Sequence, residues 1–442
     1  MERRRQITWS LVSGTFVCFF IMLTLNAPGE EQSGILAGSG ASSPEASEAR
    51  VTAKGGQIFV DGKPFFPIGL YLAIWWDEGN LKQLRKAGFN LIGARGKMDT
   101  LDKWRQFLDG AHRNGFKAWV DLWYGWRDEA PQWWATDLNE RTPKPAGTVA
   151  ERVNFLHTIT SALSDHPALL VWSTLDEINI WWDVPIVGLL RGYKLLRQID
   201  PKHPVWVNFT GPMHIQKMPA QEMLSNLKSY APLADIVSFD LYPYAYGAEA
   251  PPDIVGDAIL LLRKAVGDEK PVWAVLQADH QPAGRFPTEK ELRFMTYDVL
   301  ACGATGILFF GQDVSVGWSP VAPYVSEEGK KFRKALFRVV GELKTLAPAL
   351  LGADDAEVGL ATRWSPIRFR CKVFEGQRYL IAVNRHWKWS QKVRFEWRRC
   401  RLLEVEVMFD GRKIAPSGNA FEDELPPFGA RVYRVKLERE GQ

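Results

Sequence analysis

The chain is poor in the residues that mark several common chemistries. Of its 442 residues only seven are histidine and four are cysteine: Cys18, Cys302, Cys371 and Cys400. The cysteine spacings fit neither a zinc site nor a CxxC redox pair; Cys371 and Cys400, both in the C-terminal region, are the one pair placed to bond. No HExxH and no tight His/Asp/Glu cluster occurs, which disfavours a metal hydrolase and implies no metal or cofactor. No GxSxG elbow is present. No GxGxxG or Walker loop follows the first strand-like segment, so the usual phosphate cradles are missing. Excess charge is missing too. Fifty-five Lys and Arg against 51 Asp and Glu leave a formal charge of +4. Beyond Arg3-Arg4-Arg5 no long basic run exists, so nucleic acid is not an expected partner.

What the chain does have is tryptophan. Nineteen are present, with adjacent pairs at Trp75-Trp76, Trp133-Trp134 and Trp181-Trp182. Indoles fill large cores, and their flat faces also stack on the C–H faces of sugar rings. Neighbours on a strand point to opposite sides, so such pairs do not all fit one core. The hydrophobic share, 46%, is enough for a sizeable core.

The composition divides the chain. Residues 1–27 read as a signal peptide or membrane anchor: the arginine cluster precedes an uncharged apolar stretch, Trp9 to Leu25. The cluster keeps the N-terminus cytoplasmic and sends the rest outward. The expected location is therefore extracytoplasmic, secreted or tethered to the membrane through residues 7–27. Residues 28–50, rich in Gly, Ser, Ala, Pro and Glu, form a linker that buries too little to order itself. Asp61-Gly62 between β-formers predicts a hairpin at Gln57–Pro64.

Eight short apolar segments then alternate with helical ones. The strand segments are Phe65–Leu72, Asn90–Arg95, Ala118–Trp123, Leu169–Glu177, Val205–Phe209, Ile236–Tyr242, Val272–Gln277 and Gly306–Phe310. Most are continuous apolar runs, the mark of parallel strands buried on both faces. Over residues 51–350 this predicts an α/β fold, a (β/α)8 TIM barrel. A doubly wound sheet is the alternative, and the missing phosphate loop counts against it. Residues 351–442 change texture to short alternating strands with turn residues between them, predicting a small C-terminal antiparallel β-sandwich.

Barrel enzymes carry their chemistry at the C-terminal ends of the strands. Here those ends supply Tyr71 and Trp75, Arg95, Asp121 and Trp123, Asp176 and Glu177, Asn208, Asp240 and Tyr242, then Gln277 and His280. Carboxylates, amides and aromatics at one mouth are the means of glycosidic bond cleavage: one acid protonates the leaving oxygen and a second carboxylate attacks or activates water. The sharpest element is Leu169-Leu170-Val171-Trp172-Ser173-Thr174-Leu175-Asp176-Glu177, where two acids end an apolar strand. Paired carboxylates in a cleft drive their pKa values apart.

These segments resemble clan A of the glycoside hydrolases, the retaining (β/α)8 enzymes that include families 2, 5 and 42. Gly62-Lys63-Pro64-Phe65-Phe66-Pro67-Ile68-Gly69-Leu70-Tyr71 is similar to their first strand, Gly88-Phe89-Asn90-Leu91-Ile92 to the second, and His166-Pro167-Ala168-Leu169-Leu170 through Asp176-Glu177 to the fourth. Ala234-Asp235-Ile236-Val237-Ser238-Phe239-Asp240-Leu241-Tyr242-Pro243 is similar to the sixth, and Gly303-Ala304-Thr305-Gly306-Ile307 to the approach to the eighth. The resemblance spans about residues 55–350. It implies a glycosidase acting on a carbohydrate, with Glu177 as acid/base and Tyr71, Trp75, Arg95, Trp123, Asp176, Asn208, Tyr242, Gln277 and His280 lining the substrate. Two departures stand out. Asp176 takes the place of the Asn that usually precedes the acid/base. On the seventh strand the nucleophilic Glu is replaced by Leu276 or Gln277. The second carboxylate must then come from elsewhere, Asp240 first and Asp121 second, or the substrate supplies its own nucleophile. A catalytically inactive, glycan-binding barrel is the alternative function.

Overall fold

The computed structural model describes residues 50–71, 78–93, 100–122, 149–176, 186–210, 220–245, 249–280, 284–311, 326–361 and 365–439. The expected hairpin opens it. Strands β1 (Val51–Lys54), β2 (Gln57–Val60) and β3 (Lys63–Phe65) form a small antiparallel sheet. Asp61 and Gly62 turn its second corner with φ of 48° and 74°, the left-handed pair that a tight hairpin needs.

The eight parallel strands follow: β4 (Ile68–Leu70), β5 (Leu91–Gly93), β6 (Lys117–Asp121), β7 (Leu169–Asp176), β8 (Val205–Thr210), β9 (Ile236–Leu241), β10 (Val272–Gln277) and β11 (Gly306–Phe310). Each pairs with its neighbour in sequence, and β11 returns to β4, closing a barrel. On β9, β10 and β11 every residue is buried, because helices cover the outside and side chains fill the inside. The first strand is shorter than the sequence suggested. Phe65 pairs antiparallel with Ile58, and Pro67 separates it from Ile68, where the barrel begins.

Inside the barrel, alternate residues interlock. Trp119, Trp206 and Trp273 point inward from β6, β8 and β10; Trp119 and Trp206 lie 5.4 Å apart and Trp206 and Trp273 5.2 Å apart. Glycine on the neighbouring strand makes room for two of them. A Cβ on Gly93 would sit 1.6 Å from the Trp119 ring, and one on Gly306 would sit 2.6 Å from Trp273. Val51 and Ile58 from the N-terminal sheet plug the base of the same cluster.

Helices Glu78–Ala87, Leu101–Arg113, Val149–Leu163, Ile186–Ile199, Ala220–Tyr230, Ile254–Val266, Glu289–Ala301 and Glu327–Leu350 connect and cover the strands. Thr288 and Glu291 form a reciprocal capping box at the start of one, and Ser326 caps another. No helix among the described residues is long and apolar enough to cross a membrane; residues 7–27 and 28–49 lie outside those residues.

The C-terminal strands form two antiparallel sheets. One orders β12 (Ala353–Asp354), β14 (Ile367–Phe374), β15 (Gln377–Asn384), β20 (Ala430–Arg439), β17 (Cys400–Val407) and β18 (Arg412–Ile414). The other holds β13 (Val358–Leu360), β16 (Gln391–Trp397) and β19 (Ala420–Leu425). Between them pack Phe395, Trp397, Phe421 and Tyr433. Cys371 and Cys400 do not pair. Both are buried free thiols, on strands β14 and β17 that β15 and β20 keep apart.

The outer face of the larger sheet continues the barrel's core through Ile381, Val383, Ala430 and Val432. An ion cluster fixes one edge of this contact. The Arg385 guanidinium reaches Asp257 at 2.9 Å, Asp253 at 3.3 Å and Asp298 at 3.6 Å. Burial raises the Asp298 carboxyl to about 7, and the positive charge of Arg385 opposes the rise. A carboxyl whose folded pKa lies above its unfolded value resists ionisation in the fold, so its contribution to stability declines as pH rises from about 4 towards 7. Asp298→Asn removes this titration. Its melting temperature relative to the wild type is expected to improve between about pH 5 and pH 8; a pH-independent difference would contradict the assignment.

Candidate active site

Side chains inside the barrel change from apolar to polar towards the C-terminal strand ends. On β8 the inward positions run from Trp206 to Asn208, on β9 from Ile236 through Ser238 to Asp240, and on β10 from Trp273 through Val275 to Gln277. On β6 Trp119 is followed two residues later by Asp121. This is the direction in which a barrel builds its site.

The lower polar layer is internally satisfied. Trp206 Nε1 donates to Ser238 Oγ at 2.8 Å, and Ser238 Oγ donates to Asn208 Oδ1 at 2.6 Å. Asn208 has no exposed surface, so its amide oxygen braces the barrel wall instead of standing open to a sugar hydroxyl. Tyr71 follows β4 and lies above the indoles, 5.4 Å from Trp119 and 5.7 Å from Trp206. At 3% exposure it roofs the aromatic core at the position where the sequence placed a substrate-lining ring.

Two of the expected catalytic carboxylates lie at these strand ends. Asp240 on β9 lies level with Val275 and Thr210, and the Tyr242 hydroxyl is 3.4 Å from its Oδ2. Tyr242 also rests on Phe310 at 5.1 Å. Asp121 ends β6, level with Ser173 of β7. Asp176 ends β7, its backbone paired level with Asn208. Glu177, Trp75, Arg95 and Trp123 lie outside the described residues.

Gln277 corrects a specific expectation. It occupies the end of β10, where the resemblance called for a carboxylate and the sequence suggested an amide open to substrate. Its side chain is fully buried. Oε1 accepts from the Tyr244 backbone N–H at 2.9 Å, while Nε2 donates to the carbonyls of Arg285 at 3.1 Å and Asp279 at 3.3 Å. The amide ties the loop after β9 to the loop after β10. Arg285 strengthens the same joint: its guanidinium lies 3.9 Å over the Tyr244 ring and pairs with Glu249 and Glu291, both at 2.9 Å. Those two carboxylates hold the Arg285 pKa above its ordinary value, Glu291 most strongly. His280 is partly buried with its ring edge-on to Phe286 at 5.6 Å, and Phe286 stacks on Phe332 at 4.8 Å.

One mouth carboxylate was passed over in the sequence. Asp279, between Gln277 and His280, is fully buried just beyond β10. Only its position two residues past a strand end could have marked it.

A cavity of about 670 Å³ lies elsewhere, among Phe65, Phe116, Arg50, Arg85, Lys117 and Lys344. It gathers residues at the N-terminal ends of the strands and has no carboxylate in its lining, so it lacks the groups that glycosidic cleavage needs.

No protein-family model matches the sequence, and no curated protein matches it. Solved structures do match. An α-amylase from Geobacillus thermoleovorans, in complex with acarbose, aligns with a TM-score of 0.56 at 12% identity, over 85% of this chain and 99% of that one. A family 27 β-L-arabinopyranosidase from Geobacillus stearothermophilus, in complex with arabinose, gives 0.54 at 10% identity, over 84% and 96%. A family 39 glycoside hydrolase from Bacteroides cellulosilyticus gives 0.53 at 12% identity, over 86% and 84%. At these identities the likeness is one of fold, and the fold is the one these glycoside hydrolases use.

The role of Gln277 is testable by restoring the carboxylate. Gln277→Glu cannot donate to the Asp279 and Arg285 carbonyls, and leaving buried polar groups unpaired costs about 1–3 kcal/mol. The variant is expected to melt at lower temperature and to gain no hydrolytic activity. An equally stable, more active variant would show that the strand end is open to substrate.

Proposed function

We propose that the chain is a glycoside hydrolase acting outside the cytoplasm on a poly- or oligosaccharide. The observation that carries this reading is the polar ring at the barrel mouth, in which Asp121 and Asp240 point inward at the strand ends on either side of β7, the strand that Glu177 directly follows. Glu177 acts as general acid and gives its proton to the glycosidic oxygen as the bond to the anomeric carbon breaks. Asp240 acts as general base, taking a proton from the water that attacks that carbon from the opposite face. The Tyr242 hydroxyl beside Asp240 orients its carboxylate.

An inverting pair stands about 6.5–9.5 Å apart to admit water, and a retaining pair about 5–5.5 Å. Asp240, with the Tyr242 hydroxyl at 3.4 Å, is the water-activating base of this reading. The backbone duty of Gln277 removes the retaining nucleophile's usual place.

The test is product release from a panel of plant, algal and bacterial glycans. Glu177→Gln and Asp240→Asn are each expected to lose on the order of a hundredfold or more in kcat, as removal of a general acid or base does, with melting temperatures near the wild type. A wild type that binds a glycan yet releases nothing would favour the inactive, glycan-binding barrel, a reading that the missing carboxylate on β10 motivates.

A further inference from the structure

Of the eight tryptophans among the described residues, six are at most 1% exposed. The other two, Trp387 and Trp389, are 70% and 58% exposed. They stand on the loop between β15 and β16 of the sandwich. We propose that the Trp387-Lys388-Trp389 loop is a second glycan-binding site, a platform whose indole faces take pyranose rings by their C–H faces. The proposal rests on the reading of the protein as one that acts on glycans, and deepens it.

Hydrogen bonds hold the backbone of this loop in place. Fully buried Asn384 accepts from the His386 N–H at 2.9 Å through Oδ1, and its Nδ2 donates to the Trp389 carbonyl at 2.9 Å and to the Leu425 and Pro426 carbonyls at 3.0 Å. His386 Nδ1 accepts the N–H groups of both Lys388 and Trp389, at 3.1 and 2.9 Å. The preceding residue, Arg385, is pinned to Asp253 and Asp257 of the barrel. A loop backbone fixed before binding loses little freedom when a ligand arrives.

The surroundings select the ligand. One ammonium, that of Lys388, lies 5.8 Å from the Trp387 ring and 4.9 Å from the Trp389 ring, so both rings border one polar group. Ser390 and Lys392, next along the chain, are exposed, and the other exposed large apolar side chains among the described residues, Leu260, Leu403 and Phe409, belong to other segments. A stable protein interface buries about 800 Å² on each partner, more than two rings supply. Two flat rings among hydrogen-bonding groups match a sugar, which offers an apolar face and a rim of hydroxyls.

The experiment is native affinity electrophoresis of the full-length protein in neutral detergent, through gels cast with soluble starch, arabinoxylan or glucomannan. At least one glycan is expected to slow the wild type. Trp387→Ala with Trp389→Ala should weaken that binding by about tenfold or more, a change of about 1.4 kcal/mol, and the corresponding double Phe variant should keep most of it. Release of product from short oligosaccharides, which fill the mouth alone, should be unchanged in the Ala variant. Equal retardation of wild type and Ala variant, or no retardation of the wild type by all three glycans, overturns the proposal. So does Trp-dependent binding to phosphatidylglycerol vesicles without glycan retardation, which would make the loop a lipid contact. A wild type that hydrolyses nothing but is retarded through these tryptophans would count against the mouth and leave the platform standing.

Discussion

The close packing of three indoles inside the barrel is the constraint from which the rest follows. Trp119, Trp206 and Trp273 fill the lumen, and the nearest strands give up their side chains at Gly93 and Gly306 to admit two of them. With the lumen filled, nothing polar can enter below the level of Ser238. The polar ring therefore forms at the C-terminal strand ends, on a rigid aromatic floor roofed by Tyr71. A protein interior at crystal-like density holds such a floor in one arrangement, and a site that works by positioned carboxylates needs that rigidity.

Above the floor, polar side chains divide between structure and chemistry. Asn208 and Gln277 stand where substrate contacts were expected, yet their amides hold Ser238 and two loops. A buried amide with its hydrogen bonds satisfied stabilises; the same amide left open in an apolar setting would cost more than it gives. Fastening the loops at Gln277 and Arg285 keeps the β9 and β10 sides of the mouth together. It also removes the strand end that resembling enzymes use for their nucleophile, which turns attention to Asp240 and its Tyr242 neighbour.

The barrel was legible because its strands are continuous apolar runs, and such runs mean burial on both faces whatever lies between them. Val272–Gln277 and Gly306–Phe310 have the bounds read from the sequence. The first strand was not legible as drawn, since its apolar run crosses Pro67 from the N-terminal sheet into the barrel. The duty of Gln277 was hidden for a different reason: its partners are backbone atoms of Tyr244, Asp279 and Arg285, and no side-chain pattern encodes them. Tryptophan content had a similar ambiguity. It suggested sugar stacking, yet Trp104, Trp119, Trp172, Trp206, Trp273 and Trp397 serve cores. Trp387 and Trp389 look no different in the sequence and stand in water.

The pairing of Glu177 with Asp240 across two strands is tested most directly by proton NMR of the anomer first released from an oligosaccharide, before mutarotation. The account predicts a product of inverted configuration, as water activated by Asp240 attacks the face opposite the leaving group. A product that retains configuration would contradict it and call for a carboxylate nucleophile in place of activated water, with Asp121 first in line.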